Sequence, residues 1–115
     1  IAAWPLASYV RRRYTSSVSQ IRFEWDSRKD TANKAKHGVG FDEASTAFAD
    51  ENGILVPDPG HSHSEDRFVL LGLSARLRLL VVVHCYREAD SVIRIISARK
   101  ADKGERGEYL ERNSS

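Results

Sequence analysis

Three runs decide the fold: Arg67-Phe68-Val69-Leu70-Leu71-Gly72-Leu73-Ser74, Arg78-Leu79-Leu80-Val81-Val82-Val83-His84-Cys85-Tyr86 and Ser91-Val92-Ile93-Arg94-Ile95-Ile96-Ser97-Ala98. Each is rich in Val, Ile and Leu, and the links between them are short, which is the pattern of an antiparallel β-meander. Leu79 to Val83 is apolar at every position, so the middle run is expected as a central strand covered on both faces. Working outward, Ala101 to Arg112 alternates Lys, Arg and Glu and reads as a solvated C-terminal helix, weakened by Gly104 and Gly107. Ile54 to Val56 is a short apolar run that Pro57, Pro59 and Gly60 close, opening a polar loop to Asp66.

Toward the N-terminus, Ile21 to Trp25 alternates as a short strand, and Asp26 stands where an N-cap accepts backbone donors of a helix running to about Lys36. Gly38 ends that helix. Glu43 occupies the N3 place of a capping box whose cap is Gly40, and Phe41, Ala44, Ala47 and Phe48 recur at helical spacing on a second helix to about Phe48. The sum is a small α+β domain: an antiparallel meander, two N-terminal helices and a C-terminal helix, with part of one sheet face left open. Residues 1–20 form an extension without an assigned role, residues 21–112 the domain, and residues 113–115 a tail.

At 115 residues with 41% hydrophobic and 30% charged content, the chain holds one modest core and no room for a separate cofactor domain. Its activity is expected from side chains on one scaffold, with no cofactor. The single cysteine, Cys85, lies in an apolar run and reads as a small core residue of a reducing compartment. Leu77 to Cys85, interrupted by Arg78, is far shorter than the roughly 20 residues that span a bilayer. At the N-terminus the apolar residues precede Arg11, Arg12 and Arg13, the reverse of a secretory signal, so a cytoplasmic protein is expected. Residues 1–20 superficially match an organellar transit peptide. The chain starts at Ile1 and has no Met, which reads as a fragment or a frame extended upstream of its start.

The formal charge of +2 hides an asymmetry: residues 1–20 carry +3, 21–37 carry +2, 38–66 carry −7 and 67–115 carry +4. A fold that joins the two basic flanks would present a face able to hold phosphates. A mixed, solvated surface is the plainer alternative.

The stretch Phe23-Glu24-Trp25-Asp26, then Lys29, Asn33, Lys36-His37-Gly38-Val39, Phe41 and Glu43-Ala44, resembles the opening signature of the BrnT toxin family. Two further blocks agree in order: Glu65-Asp66-Arg67-Phe68 running into Gly72, and Ile93-Arg94-Ile95-Ile96-Ser97-Ala98-Arg99-Lys100-Ala101 followed by Glu105-Arg106 and Tyr109. The resemblance covers residues 21–112. It implies a RelE-like fold, the toxin half of a two-gene operon, ribonuclease activity that stalls translation and neutralisation by a BrnA-type antitoxin. RNA, as mRNA free or on the ribosome, is then the substrate, and operator DNA is met only through the antitoxin. The departures from the family pattern are Gly40, where a hydroxyl N-cap is common, and Gly104 and Gly107.

Metal-free RNA cleavage needs a group that takes the 2′-hydroxyl proton, cations for the charge on the phosphorane, and a donor for the leaving oxygen. Arg67 opens one strand, Arg94 lies within the last strand, and Arg99 and Lys100 stand at its exit. These are the expected catalytic cations, because a guanidinium fork matches phosphate oxygens and stays charged. For Arg67 the plainer reading is a surface pair with Glu65 or Asp66. Arg94, between Ile93 and Ile95, needs a ligand or a carboxylate to answer its charge. His37 is a candidate base, with helix-end capping as its plainer role. Lys36 and Tyr109 are candidate RNA contacts, Tyr109 by stacking or else by core packing. His84 reads as a structural histidine.

Two rivals remain. One is a non-catalytic module that binds its antitoxin and co-represses the operon. The other is a metal-dependent nuclease built on His61, His63 and Glu65, disfavoured because the loop offers no fourth ligand.

Overall fold

The computed structural model describes residues 21–58, 67–89 and 91–114. In chain order the elements are β1 (Arg22–Glu24), α1 (Ser27–His37), α2 (Phe41–Thr46), one 3-10 turn (Ala47–Ala49), β2 (Ile54–Pro57), β3 (Arg67–Leu73), β4 (Leu79–Arg87), β5 (Val92–Lys100) and α3 (Lys103–Arg112). The strands make one sheet in the order β1-β5-β4-β3-β2. The expected three-stranded meander is β3 to β5, antiparallel throughout; the short run at β2 joins it antiparallel to β3, while β1 lies parallel to β5, with Glu24 opposite Arg94. The α+β architecture and its three helices agree with the sequence reading. The extension before residue 21 and the loop holding His61, His63 and Glu65 lie outside the described residues.

Local chemistry accounts for the helix ends. Asp26 accepts from the backbone N–H groups of Arg28 and Lys29, and these bonds hold its carboxyl below the usual carboxylate range. Gly38 closes α1 in the left-handed conformation at φ 71°, where a side chain would be strained. The capping box expected at Gly40 and Glu43 does not form. Gly40 caps without a side chain, and Glu43 turns inward to Ser74 and Arg78 instead. A buried carboxylate requires an answering cation more than a helix end requires a cap. A capping box does form at α3, where Asp102 and Glu105 satisfy each other's backbone donors and offset Gly104 and Gly107.

Side-chain parity splits the sheet into two faces. Leu80, Val82 and His84 of β4, with Leu70, Ile93, Ile95 and Ala98, pack under α1 and α2 around Phe41, Ala44 and Phe48. Buried Asn33 fastens α1 to the sheet, donating to the Val39 and Ala98 carbonyls at 2.8 and 2.7 Å. On the other face Ile54, Leu71, Val81 and Ala101 form a second cluster with Tyr109 of α3. The terminal helix is therefore not solvated all round; its Tyr109 side covers one half of this face. A bulge between Val83 and His84 leaves Ile96 as the extra residue of β5 and divides that covered half from the rows beyond.

Candidate active site

The rows beyond the bulge carry the charge. Arg67, Cys85, Arg94 and Glu24 are successive register partners across β3, β4, β5 and β1. Strands lie about 4.8 Å apart, so the two arginine backbones stand about 10 Å apart with the small Cys85 side chain between them. Cys85 is buried, as expected of a small core residue, and Arg67 and Arg94 are half-buried. One step along the same face, Arg87 and Arg22 flank Val92 in the next row.

Glu24 answers the charge of Arg94. Arg94 Nη1 donates to Glu24 Oε2 at 3.0 Å, and Arg87 Nε lies 3.2 Å from the same oxygen. Arg22 is engaged separately with Glu88 at 3.2 Å. Among the described residues this face carries Arg22, Arg67, Arg87 and Arg94, with Glu24, about a third exposed, held between two of them, and Asp58 donating its backbone N–H to the Arg67 carbonyl at the other end of the row. Such a patch can seat a phosphate between planar donors and keeps an acceptor beside it. Sequence reading named Arg67 and Arg94 but not Glu24, Arg87 or Arg22. The alternation of Arg22 and Glu24 on one strand was the available signal, and their partners become evident only when β1 pairs with β5.

The other expected site residues do not converge on this row. Arg99 shares the face but stands opposite Val81, about 13 Å along the strand from the Cys85 row, and makes a two-point pair with Glu105 at 2.8 Å. That pair raises the Arg99 pKa above its ordinary value. Lys100 stands opposite Leu80 and is exposed. Lys36 and His37 close α1, which packs on the opposite face; Gly38 beside them accepts from Arg78, at the far end of β4. Tyr109 donates to Asp50 Oδ2 at 2.7 Å, with its ring in the cluster under α3. His84 is fully buried with Nδ1 3.1 Å from the Val82 carbonyl, and burial pushes its pKa down to about 4. It is a neutral structural histidine packed against Phe48, Phe68 and Tyr86.

A cleft of about 500 Å³ opens elsewhere, between Lys34, Gly40, Asp42, Thr46 and Arg76 at the helix junction. Its two cations are already engaged: Lys34 with Asp30 at 3.5 Å, and Arg76 with Glu43 at 3.8 Å. Among the described residues no group of three His, Cys, Asp or Glu is placed to hold a metal ion, and no helix is long and apolar enough to cross a membrane.

Comparison with known proteins bears on what such a face does. Residues 25–105 match the family model described as the ribonuclease toxin, BrnT, of type II toxin–antitoxin systems. Among solved structures the fold is similar to that of the Brucella abortus ribonuclease toxin BrnT, with a TM-score of 0.57 and 21% identity, covering 72% of this chain and 99% of that one. No curated protein is matched. Since the family model spans more than half of the chain and takes in Glu24's neighbour Trp25, both core helices and the whole meander, the protein belongs to the BrnT family of ribonuclease toxins.

Proposed function

We propose that this protein is an endoribonuclease that cuts mRNA without a metal, through attack of the ribose 2′-hydroxyl on the adjacent phosphate. Arg67 and Arg94 bind that phosphate and stabilise its charge as the phosphorane forms. The observation that carries the reading is the row Arg67–Cys85–Arg94, two arginines whose backbones stand about 10 Å apart on one face, in a half of the sheet that α3 leaves open. Arg87 and Arg22 extend the cationic surface for neighbouring phosphates. Arg99 and Lys100 assist from the strand exit, where they meet more distant parts of the RNA.

A BrnA-type antitoxin neutralises the toxin by covering this same face and answering its arginines with acidic or apolar side chains. Operator DNA is reached through that antitoxin.

RNA cleavage by the full-length protein in EDTA tests the reading, with folded Arg67→Ala and Arg94→Ala variants alongside. Cutting by the parent and its loss in either variant is expected. A folded parent that binds antitoxin and cuts nothing would instead indicate a module that only holds its antitoxin and co-represses the operon.

A further inference from the structure

The arginine face needs a group that accepts the 2′-hydroxyl proton, and among the described residues the choice is narrow. His84 is buried out of reach and His37 lies at the other end of the sheet on the other face. Both oxygens of Glu105 are held by Arg99, and both oxygens of Glu43 by Arg78. Glu88 stands outside the row, in the turn after β4, where it pairs with Arg22. Glu24 differs from all of these. Its contacts with Arg94 and Arg87 both use Oε2, and Oε1 belongs to neither pair.

We infer that Glu24 is the general base of RNA cleavage, held by Arg94 and Arg87 through one oxygen and presenting the other to the 2′-hydroxyl. The assignment rests on the proposed ribonuclease reading and deepens it. Glu24 Oε1 takes the hydroxyl proton while the 2′-oxygen forms its bond to phosphorus. The bond from phosphorus to the 5′-oxygen breaks, its electron pair going to that oxygen, which takes a proton from water. The hydroxide left behind removes the proton from Glu24. The products are a 2′,3′-cyclic phosphate and a 5′-hydroxyl end, and the carboxylate is restored. Arg94 serves twice, orienting the base in the free protein and facing the phosphate when RNA arrives, with Arg67 as its partner in the second role.

Among the described residues, the charged groups facing Glu24 are Arg94 from β5, Arg87 from β4, Arg22 on its own strand with Glu88 beyond it, and Arg67 in the same row.

The test measures cleavage of a mixed-sequence RNA oligonucleotide in EDTA at neutral pH, with binding of its uncleavable 2′-O-methyl counterpart. Full-length parent, Glu24→Gln, Glu24→Asp and Arg94→Ala proteins are compared. Glu24→Gln should lose about 10²- to 10⁴-fold in rate while binding the 2′-O-methyl oligonucleotide as tightly or more tightly, because a negative charge beside phosphate is gone. Glu24→Asp, a carboxylate on a shorter arm, should bind like the parent and cut more slowly than it, but faster than Glu24→Gln. Arg94→Ala should weaken binding as well as cleavage. Glu24→Gln cutting within about threefold of the parent overturns the assignment while the ribonuclease reading stands. So does a joint loss of binding and cleavage in Glu24→Gln, which would make Glu24 a structural counter-ion. If Glu24→Gln does not fold, a Glu24→Asp protein that cuts as fast as the parent overturns the assignment instead. A parent that cuts no RNA ends both readings.

Discussion

Arg99 and Glu105 meet fork to fork, Nη1 on Oε1 and Nη2 on Oε2, each at 2.8 Å. The pair joins the exit of β5 to the first turn of α3, and Glu105 Oε1 also accepts from the Asp102 backbone N–H at 2.9 Å. One carboxylate therefore fixes the last strand, the helix cap and the orientation of a cation that the sequence alone offered as a phosphate ligand. Glu105→Ala should lower stability by about 1–2 kcal/mol, through the lost cap and charge-assisted bonds. Urea unfolding checks this, and an unchanged midpoint would mean that the pair is too well solvated to matter.

Tyr109 holds the other end of the same helix. Its hydroxyl donates to Asp50 Oδ2, which also accepts from the Leu73 backbone N–H at 2.8 Å, so removing the hydroxyl leaves that oxygen satisfied. Tyr109→Phe should accordingly cost only about 1 kcal/mol. Burial first, then the Asp50 bond, raises the Tyr109 pKa above its ordinary value. The folded state thus keeps this proton when the unfolded chain releases it, and stability falls as pH rises past the ordinary tyrosine value of about 10. Alkaline absorbance titration should show a late-ionising tyrosine that Tyr109→Phe lacks.

What the sequence made legible was local. Gly38, Asp26 and the three apolar runs specify their own helix ends and strands within a few residues, because backbone sterics and side-chain period act at short range. The parallel seam of β1 on β5 joins residues 70 positions apart, and nothing in Arg22-Phe23-Glu24 records it. The same limit hid Glu24 as the partner of Arg94, although the need for a carboxylate beside Arg94 was readable from its two isoleucine neighbours. Glu43 shows the converse. Its spacing from Gly40 fits a capping box, yet Arg78, 35 residues on, claims its side chain.

That Glu43–Arg78 pair is the chief electrostatic tie of the helix layer. Glu43 is buried and accepts from Arg78 Nε at 2.9 Å and from Ser74 Oγ at 2.7 Å, while Arg78 also reaches the Gly38 carbonyl at the end of α1. Its Arg78 bond, opposed by burial, holds the Glu43 carboxyl below the usual range. A depressed carboxylate stabilises fully above its unfolded value of about 4.3, and loses that contribution as pH falls through the depressed folded value. Glu43→Gln should cost about 2–3 kcal/mol at pH 7, below the loss for a fully buried pair because Arg78 is partly exposed. The gap between parent and variant should narrow as the solution becomes strongly acidic. A gap constant down to pH 2 would assign the loss to packing alone.

His84 sets the opposite requirement on the core: it must stay uncharged. Phe48, Phe68 and Tyr86 pack against the ring, and Nδ1 lies 3.1 Å from the Val82 carbonyl oxygen. Desolvation outweighs that bond and lowers the pKa to about 4. Between the unfolded value of about 6.5 and that folded value, the unfolded chain binds a proton that the native state refuses, so stability declines as pH falls across this window. A shift of this size amounts to about 3 kcal/mol by pH 4. Replacing the ring with a side chain that cannot titrate removes the dependence, so the stability of His84→Gln or His84→Leu should vary less between pH 7 and pH 4.5 than that of the parent. Imidazole chemical shifts followed over the same range decide the matter directly. A His84 resonance that titrates near 6.5 would mean that water reaches the ring, and the aromatic end of the core would then be an open surface rather than a packed one.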